Sequence, residues 1–260
     1  MNFTYTPERL AALSTTISLG RLAPYMAMAD NQLEAALRLY QLNASLSAAL
    51  YGPLQTLEVT VRNSMDRQLT DRFGATWDVP GAILFQKQQR DDIDKAVREI
   101  SVNERGAPVD WTHDQLVAEL NFGFWVGALN PKNDVEVWRK ALWKSFPNRP
   151  KGIERKDVQG ALNSVRRLRN RVAHHCRIIH RDLVADHRTI LEVLGWICVD
   201  TRDWTESLSQ FNPDDIPGPQ QNLPMAGMAE IDPIPPATPV TETRDGRLRL
   251  SMRDASHKRA

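Results

Sequence analysis

Only two cysteines, Cys176 and Cys198, occur among the 260 residues, which excludes a disulfide framework and a four-cysteine zinc module. No apolar run approaches the roughly 18 residues that a membrane span requires. The opening Met-Asn-Phe-Thr-Tyr-Thr-Pro-Glu has no basic region followed by an apolar core, so no signal peptide is expected and the reading is a cytoplasmic, soluble protein. An excess of one charge is missing as well. Lys+Arg total 33 against 32 for Asp+Glu, a formal net charge of +1. That balance excludes a globally basic nucleic-acid coat and an acidic disordered chain. Sustained period-two alternation, Asn-Gly hairpin signals and internal repeats are absent. So are a Gly-rich phosphate loop and the strand context of a hydrolase elbow.

What is present is a helical pattern. Hydrophobic residues make up 42% and charged residues 25%, enough for an ordinary core. Asp30 is expected to cap a helix carrying Leu33, Leu37, Tyr40 and Leu46. Gly52-Pro53 is expected to break or kink it, because proline removes a donor and crowds the preceding turn. A second helix carries Leu54, Leu57, Val61, Met65 and Leu69 and stops at Gly74. Further helices are expected near 82–101, 112–129, 134–145, 153–179 and 186–208. Trp111, Trp125, Trp138 and Trp143 fall at roughly helical spacing and read as core or dimer-contact anchors. The fold class is all-α.

Eight of the 16 prolines fall between Pro213 and Pro239, where large apolar residues are few. Such a stretch buries too little surface to offset its ordering entropy, so residues 211–260 read as a flexible linker and tail. The tail is basic, with Arg247, Arg249, Arg253, Lys258 and Arg259, and reads as a solvated end or an accessory phosphate-binding arm. The folded domain is then residues 1–210.

Chemistry concentrates in one segment. Ala161 to Arg181, ALNSVRRLRNRVAHHCRIIHR, holds six arginines and no acid. In a nearly neutral chain this makes a local positive field that a phosphate feels. On a helix, Val158, Leu162, Val165, Leu168, Val172, Cys176 and Ile179 form an apolar stripe. Asn163, Arg166, Arg167, Asn170, His174, Arg177 and Arg181 gather opposite. The simplest account is a solvated basic face. Asn170, His174 and Arg177, however, put an amide, an imidazole and a guanidinium on one patch. Histidine trades protons near neutral pH, and a guanidinium suits a phosphate. Arg169 projects to the edge of the apolar stripe and needs a carboxylate partner. Glu58, within the stripe of the earlier helix, is one candidate partner; the other arrangement pairs Glu58 with Arg62. His174, His175, Cys176 and His180 have no usual zinc spacing, so no metal and no other cofactor is expected.

Arg169-Asn170-Arg171-Val172-Ala173-His174 has the form R-N-x-x-x-H and resembles the signature of the HEPN superfamily of helical nucleases. An ordered series of segments resembles its Abi-like members, linked to phage abortive infection. They are LRLYQLNASLSAAL, LEVTVRNSMDRQL, FGFWVGAL, WRKALWKSFPN, LRNRVAHH and LGWICVDTRDW. The resemblance spans roughly residues 10–205. It implies a HEPN-type bundle with additional helices and a toxin that cleaves RNA without a metal. A 2′-hydroxyl would attack the adjacent phosphate at a composite site formed across a homodimer. It implies catalytic roles for Arg169 and His174, with Asn170 orienting and Glu58 supporting. Arg166, Arg167, Arg177 and Arg181 are the candidate RNA contacts, and a noncoding RNA partner or antitoxin fits the same picture. Arg169 and His174 lie five positions apart, about 140° around a regular helix. They cannot converge on one phosphate from a straight helix in one chain, so either the helix is irregular there or the pairing is between subunits. Two other readings use the same residues: a catalytically silent RNA-binding protein, and a helical interaction protein whose arginines are solvated.

Overall fold

A computed structural model of the chain describes residues 3–216. These residues are α-helical with short 3-10 and π turns, and they contain no β-strand. The all-α expectation holds for them. The proline-rich and basic tail lies outside the described residues from 217 onward. Packing continues a little past residue 210, since Phe211 is buried and Ile216 rests against the core.

Two short helices, α1 (Pro7–Ile17) and α2 (Leu19–Met26), lead into the chain. Asp30 does not cap the next helix as expected. Asp30 and Asn31 take left-handed backbone (φ 48° and 60°), a conformation that short polar side chains tolerate. The turn they form closes the end of α2, and Gln32 becomes the N-cap of α3.

Helix α3 runs unbroken from Leu33 to Phe73, 41 residues, and ends at Gly74 with φ 91°. It continues through Gly52-Pro53 without a break, so of the break or kink expected there the break does not occur. Interior proline costs about 3 kcal/mol. Leu46, Leu50, Leu54, Leu57, Val61, Met65 and Leu69 are buried on both sides of it. Each such burial contributes about 1.5–3 kcal/mol, so packing outweighs the proline.

The middle of the chain holds α4 (Lys87–Ile100), α5 (His113–Glu119) and α6 (Phe122–Ala128). The stretch 112–129 is two helices because Leu120 is extended and Asn121 accepts the Phe124 amide at 3.0 Å, starting α6 afresh. The stretch 134–145 is a π turn (Asp134–Trp138) and a 3-10 turn (Leu142–Ser145). Trp125 and Trp138 are buried, Trp111 packs partly against the core, and Trp143 stays exposed.

Three helices complete the body: α7 (Arg155–Ala173), α8 (Leu183–Ile197) and α9 (Val199–Leu208). Extended backbone at Cys198 divides what the pattern suggested was one helix over 186–208. α3 is the central rod against which α2, α7, α8 and α9 pack. Ser64 on α3 and Ser145 exchange hydrogen bonds through hydroxyl and carbonyl, tying the rod to the 3-10 turn. No helix among the described residues is long and apolar enough to cross a membrane.

Candidate active site at the C-terminal end of helix α7

α7 starts with a capping box between Glu154 and Asp157 and buries Val158, Leu162, Val165, Leu168 and Val172 against the core. To that point the expected stripe is correct. The helix then stops. Ala173 is its last residue, His174 is the C-cap (φ −92°, ψ 13°), and His175 turns left-handed at φ 55°. Ile178 therefore becomes the next fully buried anchor, where Cys176 and Ile179 were expected. No glycine or proline marks this stop, which is why the periodicity ran past it to 179.

The turn is held from outside by α3. Asn43, only 5% exposed, accepts hydrogen bonds from the amides of Ile178 (2.6 Å) and Ile179 (3.3 Å). Its side-chain nitrogen donates to the Cys176 carbonyl at 3.3 Å. Arg171 donates through two nitrogens to the Arg177 carbonyl, and Arg21 donates to the His175 carbonyl. One buried carboxamide and two guanidiniums thus replace the hydrogen bonds that a longer helix would supply. Asn43 was not singled out from the sequence. Its signal was available: it stands seven residues after Ala36 and three before Leu46, on the buried stripe of α3.

The early stop splits the expected basic face. Arg177 donates to the Pro24 carbonyl on α2 at 3.3 Å, and burial, opposed by Tyr25, lowers its pKa. Arg181 grips Asp186 with two 2.7 Å hydrogen bonds that hold its pKa above the ordinary value. Neither continues the row of Asn163, Arg166, Arg167 and Asn170. Arg167 is exposed, while Arg166 is half-buried and donates to Asn163 Oδ1 at 3.2 Å. His174 and His175 are both exposed.

Arg169 points the other way, to α3. Its Nε donates to Glu58 Oε2 at 2.9 Å and its Nη2 to Oε1 at 3.4 Å. Of the two pairings open from the sequence, the fold takes Glu58–Arg169, and Arg62 reaches the Ala118 carbonyl instead. The Glu58 side chain is 19% exposed and that of Arg169 38%, so the guanidinium is anchored on one side and open on the other. Glu58 fixes the orientation of a charge that remains accessible.

A second polar cluster is structural. Asp66 Oδ1 accepts from Trp77 Nε1 and pairs with His113 Nε2, both at 2.8 Å, beneath the packed rings of Trp77, Phe124 and Trp125. Among the described residues no group of three or more His, Cys, Asp and Glu side chains is placed to hold a metal ion. Compared with known protein families, curated proteins and solved structures, the chain finds no match.

Two outcomes follow from this geometry. Glu58→Ala and Arg169→Ala should each destabilise, and the double variant should be milder than their sum by about 1 kcal/mol, since the pair is only partly buried. Strict additivity in urea unfolding would contradict the pairing. The second concerns acid. Partial desolvation, followed by the charges of Arg177, Arg171 and Arg181, pushes His180 down from 6.5 to about 4. Desolvation also lowers His187. The unfolded chain then binds more protons than the folded one between 6.5 and about 4. Stability should fall as pH drops through that window, and His187→Gln, at the half-buried position, should flatten the slope more than His180→Gln, since His180 is exposed and its share is screened by solvent. An unchanged slope in chemical denaturation at pH 7, 6 and 5 would refute this.

Proposed function

We propose that this chain is a metal-independent endoribonuclease of the HEPN type, resembling Abi-like toxins of phage defence and acting in the cytoplasm as a homodimer. The observation that carries the reading is the Glu58–Arg169 pair five residues before an exposed His174 at the C-terminal end of the same helix. A steered guanidinium and a solvent-facing imidazole are what transesterification of RNA needs.

The chemistry is proton transfer and charge stabilisation. His174 takes the proton of a ribose 2′-hydroxyl as its oxygen attacks the adjacent phosphorus. The P–O5′ bond breaks, and the leaving oxygen receives a proton from the second copy's His174 in its imidazolium form, which becomes neutral as the first becomes protonated. The products are a 2′,3′-cyclic phosphate and a 5′-hydroxyl. Proton transfer of this kind contributes about 10²–10⁴ in rate. Arg169 stabilises the charge developing on the phosphate, and Asn170 orients it. Arg169 is held toward Glu58 on α3 while His174 stands exposed just past the end of α7, and this separation is the reason to place a second copy of the corner opposite the first. Arg166 and Arg167 supply phosphate contacts on this face. Arg177 and Arg181, committed to Pro24 and Asp186, shape the turn that presents His174.

The same basic face suits a silent RNA-binding protein, including one bound to a noncoding RNA. One experiment separates the two. Purified protein is incubated with end-labelled RNA in EDTA, with His174→Ala and His175→Ala alongside. The proposal expects cleavage leaving 2′,3′-cyclic phosphate ends, a loss of about 10² or more in His174→Ala, and little change in His175→Ala. The melting temperature of His174→Ala should match wild type because the ring is exposed. RNA retention without cleavage would replace the nuclease with the silent binder. Retained cleavage in His174→Ala would remove the proton-transfer role from that residue.

A further inference from the structure

Four tyrosines occur in the chain, and three are engaged: Tyr5 packs on Phe3 beneath Arg38, and Tyr25 meets Tyr40 edge-on at 5.5 Å. Tyr51 is the exception. It is 61% exposed in the middle of α3. Among the described residues no ring or guanidinium stacks on it, and its hydroxyl has no hydrogen-bond partner. A single exposed ring needs no explanation by itself, so its position decides.

Two contacts fix that position, because α3 and the segment from α7 to Ile179 run antiparallel: Glu58 meets Arg169, and Asn43 meets Ile178. Tyr51 lies seven positions from Glu58 and eight from Asn43, and His174 lies five from Arg169 and four from Ile178. Each is near the middle of its interval, so Tyr51 and His174 stand at about the same height. Seven residues turn about 700°, roughly 20° short of two full turns, so Tyr51 leaves α3 in nearly the direction of Glu58. Yet the Glu58 side chain is 19% exposed beneath Arg169, whereas Tyr51 is open. The difference is where α7 ends. Its last residue is Ala173, so the helix that covers Glu58 stops before it would cover Tyr51.

The surroundings suit a base. A helical side chain leans toward the preceding turn, and the residues there are Ser47 and Ala48, four and three positions back. Both are small, which leaves room against the ring. From Leu39 to Leu57 α3 carries no charged residue, so no carboxylate on this stretch repels a phosphodiester strand. Glu58, the first beyond it, is paired with Arg169. The open side of Arg169 and the exposed His174 are where the reading above puts the cleaved phosphate. We propose that Tyr51 is the stacking platform of this site: its ring receives the base of a nucleotide flanking the phosphate held by Arg169 and His174. Every base offers a π face, so the platform positions the strand without selecting its sequence. This rests on the RNA-cleaving reading above and adds to it how a single strand is held.

Binding of a fluorescent octauridylate to the full-length His174→Ala chain tests it, with cleavage by chains that keep His174 measured in parallel. Tyr51→Ala should weaken binding about tenfold, within the range of one lost base–aromatic stack. Tyr51→Phe keeps the ring and should stay within about twofold of the parent, while Tyr51→Leu, apolar but without a π face, should fall with Tyr51→Ala. An abasic ribose-phosphate chain of the same length has nothing to stack and should bind the parent and Tyr51→Ala alike. Because Tyr51 is exposed, melting temperature and sedimentation should not change in any variant. Unchanged affinity in Tyr51→Ala, with cleavage intact, overturns the platform and leaves the nuclease standing. A dimer lost in Tyr51→Ala also overturns it, assigning the ring to the contact between copies. A wild-type chain that neither binds nor cuts RNA overturns both readings.

Discussion

Asn43 stands among leucines on the buried stripe of α3, and its oxygen accepts from two successive amides, Ile178 and Ile179. A carboxamide in that position is costly unless each of its groups finds a partner. Here it finds three, counting the Cys176 carbonyl. Those contacts let α7 end at Ala173 without glycine, force the chain through the left-handed turn at His175, and bring Ile178 into the core. Were α7 to continue, His174 would be one more residue on a helix face. Because it ends, His174 sits on a corner, exposed on a backbone pinned from below.

The six arginines between Ala161 and Arg181 divide by task. Arg171, Arg177 and Arg181 give their donors to carbonyls or to Asp186 and so brace the corner. Arg169 is steered by Glu58 yet remains partly open. Arg166 and Arg167 stay on the outer face, near a cavity rich in carboxamides. A cluster that reads as one positive field in sequence is a scaffold and a smaller working surface in three dimensions. The division also explains how a chain with net charge +1 concentrates cations without destabilising itself.

Much of this was legible in the residues. The helical class, the stripe from Val158 to Val172 and the stop at Gly74 follow from period and turn chemistry, and the cost of burying a lone charge narrows the partner of Glu58 to Arg169 or Arg62. Three features were not. The run of α3 through Pro53 depends on leucines packed against other helices, a tertiary effect that overrides a local breaker. The end of α7 at His174 depends on Asn43, 131 positions earlier, so no local window contains the cause. The groove lined by Gln89, Gln159 and Asn163 is assembled from α4, the end of α6 and α7, and none of its residues forms a motif alone. Asn43 itself could have been found, as a polar residue on an apolar stripe asks what it bonds.

The central claim is that a buried carboxamide on α3 holds the corner that presents His174. Hydrogen exchange followed at single residues tests it in the intact chain. In the wild type the amides of Ile178 and Ile179 should exchange as slowly as those of Leu162 and Val165 in the body of α7. In Asn43→Ala they should exchange at least about a hundredfold faster, the equivalent of losing about 3 kcal/mol of local protection, while Leu162 and Val165 stay slow. Undiminished protection at Ile178 and Ile179 in Asn43→Ala would show that the corner stands without Asn43 and would contradict the account.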